Sequence, residues 1–211
     1  MRNPWLAIPL SDYEGHMALP GIGQAQMLAQ ILADVHCKYT PQSLAVLGCA
    51  GGNGFDSVSP AITRRVVGVD LNPRYVAEAQ ARYGGRFQNL ELYVADIEKN
   101  IPAFTPVNLV FAALILEYVD IDVVIARTRF MLETDGKLAT VVQLPSSSSA
   151  NVTPSPFASL RSLGDFMHLV PPDELRRTAQ TNGYTQIESR IIAAEGGKHF
   201  QVQVFELTAP S

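Results

Sequence analysis

Cysteine is scarce in this chain of 211 residues, which has two, Cys37 and Cys49. Their number and spacing suggest neither a disulfide framework nor a zinc site, so stability must come from a packed apolar core. Cys49 reads as a small residue in a crowded loop rather than as a redox group. Long apolar runs are missing too. The longest spans residues 109 to 116, eight positions, against the roughly 20 that cross a bilayer, so no transmembrane helix is expected. Clustered cations are likewise absent. The formal charge is -4, and basic residues come singly or in pairs such as Arg64 with Arg65 and Arg176 with Arg177. Nucleic acid is therefore not an expected partner, because phosphate backbones are gripped by clusters of Lys and Arg. The first residues do not have the form of a secretory signal, since Pro4 and Pro9 interrupt their apolar patch and Asp12 and Glu14 follow. The expectation is a cytoplasmic protein with one domain over residues 1 to 211.

What the chain does have is an alternation of short apolar runs with helical patterns. Residues 20 to 36 carry Ile22, Met27, Leu28, Ile31, Leu32 and Val35 at helical spacing. Strands are predicted at 44 to 47, 66 to 69, 90 to 94, 108 to 113 and 137 to 144, and helices at 53 to 59, 74 to 83, 123 to 132 and 172 to 181. Pro73 suits the first turn of its helix, where a missing N–H costs nothing. The rhythm breaks at the end, where strands at 185 to 194 and 199 to 207 are joined by Glu195, Gly196, Gly197 and Lys198. Two glycines in so short a connection predict an antiparallel hairpin. The fold class expected is α/β, a doubly wound, mostly parallel, seven-stranded Rossmann-like sheet with helices on both faces and a carboxyl-terminal antiparallel hairpin. Residues 1 to 36 would form an arm and helix able to act as a lid, 44 to 144 the ligand-binding core, 145 to 171 a loop and possible second lid, and 172 to 207 the closing helix and hairpin. The Ser- and Pro-rich stretch from Ser146 to about Pro156 lies beyond the fifth strand, at the sheet end where open α/β folds bind ligands.

The first strand pours into LAVLGCAGGNGFD, residues 44 to 56, with four glycines between Gly48 and Gly54. Such a loop brings backbone close to a nucleotide-like ligand. Asp70 ends the second strand 22 positions after Gly48, where a carboxylate can accept hydrogen bonds from ribose hydroxyls. Asp96 holds the equivalent place after the third strand. A helix N-cap is the alternative role for each acid. These features suit either a dinucleotide or S-adenosylmethionine.

The glycine loop, AspLeuAsnPro at 70 to 73, ValAlaAspIleGlu at 94 to 98, the fourth strand running into AlaAlaLeuIleLeuGluTyrVal at 112 to 119, and the closing hairpin together resemble the class I S-adenosylmethionine-dependent methyltransferases. The resemblance covers roughly residues 25 to 207. It implies that Gly48, Ala50 and Gly52 pass the methionine and ribose part of the cofactor, that Asp70 binds the ribose hydroxyls, and that Leu71 lies against adenine. It further implies Asp96 and Ile97 at the adenine edge and Ala112 and Ala113 at the methionine end. No metal is implied. Two departures stand in the loop. Val46 holds a position where the family usually has an acid, and Ala50 one where many members have glycine. Glu117 and Tyr118 replace a histidine pair common in small-molecule members. The implied activity is methyl transfer to a small acceptor. A nicotinamide-dependent oxidoreductase and a non-catalytic S-adenosylmethionine-binding domain are the alternatives. Tyr13 and His16, in the arm, and Glu117 and Tyr118, after the fourth strand, are the candidate catalytic residues, neutral imidazole being a suitable base near pH 7. His168 is expected to be a partly buried structural histidine.

Overall fold

The computed structural model describes residues 3–146, 153–194 and 197–208. Two helices, α1 (Leu10–Met17) and α2 (Gln24–Tyr39), precede a seven-stranded sheet. The sheet contains β1 (Ser43–Leu47), β2 (Arg65–Asp70), β3 (Asn89–Val94), β4 (Val107–Ala113), β5 (Leu132–Gln143), β6 (Tyr184–Ala193) and β7 (His199–Leu207). Helix α3 (Pro73–Tyr83) links β2 to β3, α4 (Ile121–Thr128) links β4 to β5, and α5 (Pro172–Thr181) precedes β6. The strand order is β3-β2-β1-β4-β5-β7-β6, with β7 antiparallel to both β5 and β6 and the rest parallel. The expected sheet and hairpin are therefore present, although Glu195 and Gly196 of the connection lie outside the described residues.

Central placement explains the composition of β1, whose five residues are all buried between β2 and β4. A parallel strand covered on both faces has no solvent side to be polar on. Ile31, Leu32 and Val35 of α2 pack with Phe55 on one face of the sheet, while Val124 and Ile125 of α4 and Leu175 and Ala179 of α5 pack on the other. Each such side chain contributes about 1.5–3 kcal/mol on burial. Helix starts are set locally. The Asn72 side chain accepts from the Arg74 N–H with Pro73 in the first turn, and Asp120 accepts from the N–H groups of Asp122 and Val123.

Five segments differ from the sequence reading. The helix expected at 53 to 59 is one 3-10 turn, Phe55–Ser57, because Gly52 and Gly54 stand in the left-handed region at φ 84° and 88°. The helix at 20 to 36 begins only at Gln24, after Gly21 and Gly23 take positive φ, and runs to Tyr39. The helix expected to reach residue 132 stops at Thr128. Strand β5 starts at Leu132 instead of 137, with Asp135 at φ 61° and a register shift against β4. Asp135 and Gly136 are thus a bulge within a strand rather than a helix stop, and a Cβ on Gly136 would lie 2.8 Å from the Glu133 carbonyl oxygen. Finally, part of the arm forms α1, a short helix with Gly15 inside it. The glycine is needed there because the Phe157 ring approaches to 2.6 Å of where its Cβ would stand.

Candidate active site

The chain runs from β1 outward through β2 to β3, then returns to β4 and continues to β5. The order reverses between β1 and β4, and a crevice opens there at the carboxyl ends of the strands, as the topology dictates. The loop after β1 enters it with Gly48 at φ 68°, Ala50 at 48° and Gly52 at 84°. Alternate left-handed residues turn the backbone sharply, and Ala50 accepts the conformation at a cost of roughly 1 kcal/mol. Asp70 fastens the loop. Its Oδ2 accepts from the Ala50 N–H at 2.9 Å and its Oδ1 from the Asn72 N–H at 2.8 Å. Burial raises the Asp70 pKa, while the amides of Asn72, Ala50 and Leu71 pull it back. Asn72, and not Asp70, caps α3.

A first pocket, of about 700 Å3 counting the space at its open mouth, lies against this loop. Gly48, Ala50, Asp70, Leu71, Asp96 and Ile97 line it, and so does Ala113. Gly52 and Ala112 do not. The Gly52 position is instead fixed by packing, since a Cβ there would come within 2.5 Å of the Tyr83 ring. Asp96 accepts from the Glu98 N–H at 3.1 Å and pairs with Lys99 at 2.7 Å.

Sequence reasoning missed Trp5 and Tyr75 in the wall of this pocket. Both belong to an aromatic cluster. Trp5 meets Tyr13 and Tyr118 edge-on at ring distances of 5.5 and 5.1 Å, and Tyr13 stacks on Tyr75 at 6.4 Å. The first residues are tied down by backbone contacts, with Asn72 Nδ2 donating to the Trp5 carbonyl and the Tyr75 hydroxyl to that of Ile8. Ser159 donates to Asp12 at 2.6 Å, linking α1 to the short turn Ala158–Leu163.

A second pocket, of about 580 Å3, adjoins the first and shares Trp5, Tyr13, Leu114 and Tyr118 with it. His16, Glu117, Gln143 and Lys198 also line it. Glu117 is fully buried, and its Oε1 accepts from the Gln143 N–H at 2.7 Å. Its Oε2 has no hydrogen-bond partner among the described residues. Burial lifts the Glu117 pKa to about 7 against the single amide that favours its charge most. His16 and Lys198 are held below their ordinary values by burial, and Lys198 depresses His16 further. Burial and the Asp70 carboxylate push the Tyr13 phenol well up, and burial with Glu117 does the same to Tyr118. These two phenols are neutral at any ordinary pH.

Lys198 was not singled out in the sequence, where residues 195 to 198 carry only a turn signal. The antiparallel hairpin returns the chain to the carboxyl end of β5, so a residue just before β7 faces the same crevice as Gln143. His168 departs from expectation in the other direction. It is exposed and lines neither pocket, and only its backbone N–H meets the site region, donating to the Glu117 carbonyl at 2.9 Å. Val46 lines a third cavity with Met17, Leu28, Leu32 and Phe111, and no acid shares that lining. No group of three or more potential metal ligands occurs among the described residues, and no helix among them is long and apolar enough to cross a membrane.

The reversal crevice, the glycine loop held by Asp70 and the paired pockets belong to a Rossmann-like fold with its ligand site at the carboxyl ends of the strands. Residues 45–136 match the model of a methyltransferase domain. No curated protein matches the sequence significantly. Among solved structures, the N-methyltransferase NodS of Bradyrhizobium japonicum WM9 in complex with S-adenosyl-L-homocysteine is similar at 18% identity and TM-score 0.71, over 99% of this chain and 100% of that one. Magnesium protoporphyrin IX methyltransferase from Synechocystis PCC 6803, with the same bound product, matches at 12% identity and TM-score 0.70, over 94% of each chain. The 1,6-didemethyltoxoflavin-N1-methyltransferase of Burkholderia thailandensis matches at 17% identity and TM-score 0.65, over 94% of this chain and 84% of that one. The matches give no support to a nicotinamide-dependent or a non-catalytic reading.

Proposed function

We propose that this protein transfers a methyl group to a small molecule held in the second pocket, with S-adenosylmethionine in the first. The observation that carries the reading is Tyr13, which lines both pockets, so that a donor and an acceptor would meet beside one aromatic ring. The residues present fit the cofactor. Gly48 stands at φ 68°, and a Cβ there would lie a tight 3.2 Å from the Ile115 side chain. Asp70, though bound to two amides, keeps lone pairs for the ribose hydroxyls. Leu71 and Ile97 would flank adenine, Asp96 would meet its amino group, and Gly48, Ala50 and Ala113 would follow the ribose and methionine. The cofactor supplies an already activated methyl group on a cationic sulfur, delivered by in-line displacement.

The chain's own part is to align the partners and to keep water out. The aromatic cluster of Trp5, Tyr13 and Tyr118 would serve exclusion, and the face of Tyr13 suits a nearby cation. Glu117 and neutral His16 are the groups able to take a proton from the acceptor. The second pocket is bordered by α1 and the Ala158–Leu163 turn. Two free cysteines agree with a cytoplasmic setting. Incubation with methyl-labelled S-adenosylmethionine and a small-metabolite extract should yield a labelled low-mass product, and Asp70→Ala should abolish it. No labelled product from any extract would leave a binding domain without transfer.

A further inference from the structure

The second pocket contains two groups of opposite ionic character, both anchored by one residue. Gln143 donates its backbone N–H to Glu117 Oε1 at 2.7 Å, and its side-chain oxygen accepts from Lys198 Nζ at 3.1 Å. Glu117 has no exposed surface and Lys198 is 5% exposed, so both heads lie out of bulk water. Glu117 lines the cavity, and its buried Oε2 is left without a donor among the described residues. An unsatisfied buried carboxyl oxygen is costly unless a ligand supplies its donor. The wall also holds His16, Gln24 and Thr153, with Met17, Leu160 and Leu163 among its apolar part.

We infer that the acceptor is a small amine with an anionic group at its other end, its nitrogen donating to Glu117 Oε2 and its anion lying toward Lys198. This rests on the methyltransferase reading above. A hydroxyl could donate to the same oxygen, but an ammonium adds charge, and charge-assisted hydrogen bonds are about twice as strong as neutral ones. The proton chemistry fits as well. The ammonium gives one proton to Glu117 Oε2, whose carboxyl group titrates at about 7, and leaves a neutral nitrogen with a free lone pair. That nitrogen bonds to the methyl carbon as the sulfur–carbon bond breaks, the sulfur keeps the electron pair and loses its charge, and the product is a methylammonium.

The test uses the full chain saturated with S-adenosyl-L-homocysteine and titrates it calorimetrically with 4-aminobutyrate, 5-aminopentanoate and 6-aminohexanoate, and with the hydroxy acids of the same lengths. At least one amino acid should bind about tenfold or more tighter than its hydroxy counterpart. In Glu117→Gln, with circular dichroism confirming the fold, that preference should vanish, and Lys198→Met should weaken both series. Equal affinity for amino and hydroxy acids in the unaltered protein, or no binding of any amino acid at about 10 mM, overturns the inference. Failure of S-adenosyl-L-homocysteine itself to bind would instead overturn the function on which it rests.

Discussion

Glu14 of α1 and Arg82 of α3 meet across the glycine loop in a two-pronged ion pair, Nη1 to Oε1 at 2.6 Å and Nη2 to Oε2 at 3.1 Å. Beneath them a Cβ on Gly51 would strike Leu10 at 2.7 Å, so α1 rests directly on the loop. The clamp thus adds to the contacts that hold the first residues against both pockets.

Arg82→Ala should leave global stability almost unchanged, by about 1 kcal/mol or less, because the pair is partly exposed. The amides of residues 10–17 should nevertheless exchange with solvent faster, as measured by hydrogen–deuterium exchange. Unaltered protection of α1 would show that the aromatic cluster alone holds it.

The loop should respond to glycine and alanine with opposite signs. Ala50→Gly relieves a left-handed alanine and should raise the denaturation midpoint, by about 0.5 kcal/mol once the greater freedom of the unfolded glycine is subtracted. Gly48→Ala puts a Cβ at φ 68° and 3.2 Å from Ile115, and should cost about 1–2 kcal/mol. Urea denaturation of the two variants checks both.

Glu117 should make stability depend on pH. Its folded pKa, about 7, lies above the ordinary value of 4.5, so the folded state binds the proton more tightly. Stability is then greatest below about 4.5 and is lost as pH rises through 7. Glu117→Gln removes the ionisation and should stabilise the protein at pH 8 by roughly 2–3 kcal/mol, with little effect at pH 5. Thermal melts at both values decide it, and an equal shift at each would contradict the assignment.

Much of this was legible in the sequence because parallel strands buried on both faces read as apolar runs, and β1, β2 and β4 stand where those runs are. The glycine loop and Asp70 could be placed because each stands at the end of such a strand, and Asp96 because it closely follows the edge strand β3. The bulge at Asp135 and Gly136 was not legible, since the same pair also ends helices. The acceptor wall was harder still. Trp5 and Tyr75 reach the pocket through contacts between residues about seventy positions apart, and Lys198 arrives by the antiparallel return of β7. No local pattern encodes such meetings.

Trp5 is the sole tryptophan of the chain and lines the first pocket. Adding S-adenosyl-L-homocysteine should therefore change the intrinsic emission excited at tryptophan wavelengths, with a saturable dependence on ligand. Trp5→Phe should abolish the signal while keeping an aromatic wall. An unresponsive emission would mean that the ligand does not reach that wall.

The account stands most directly on Asp70 as the residue that both fastens the glycine loop and receives the cofactor. Calorimetric titration of the purified chain with S-adenosyl-L-homocysteine should give one site per chain, and Asp70→Ala should bind at least about tenfold more weakly, a loss of about 1.4 kcal/mol. Unchanged affinity in Asp70→Ala, or no binding by the unaltered protein at millimolar ligand, would contradict it.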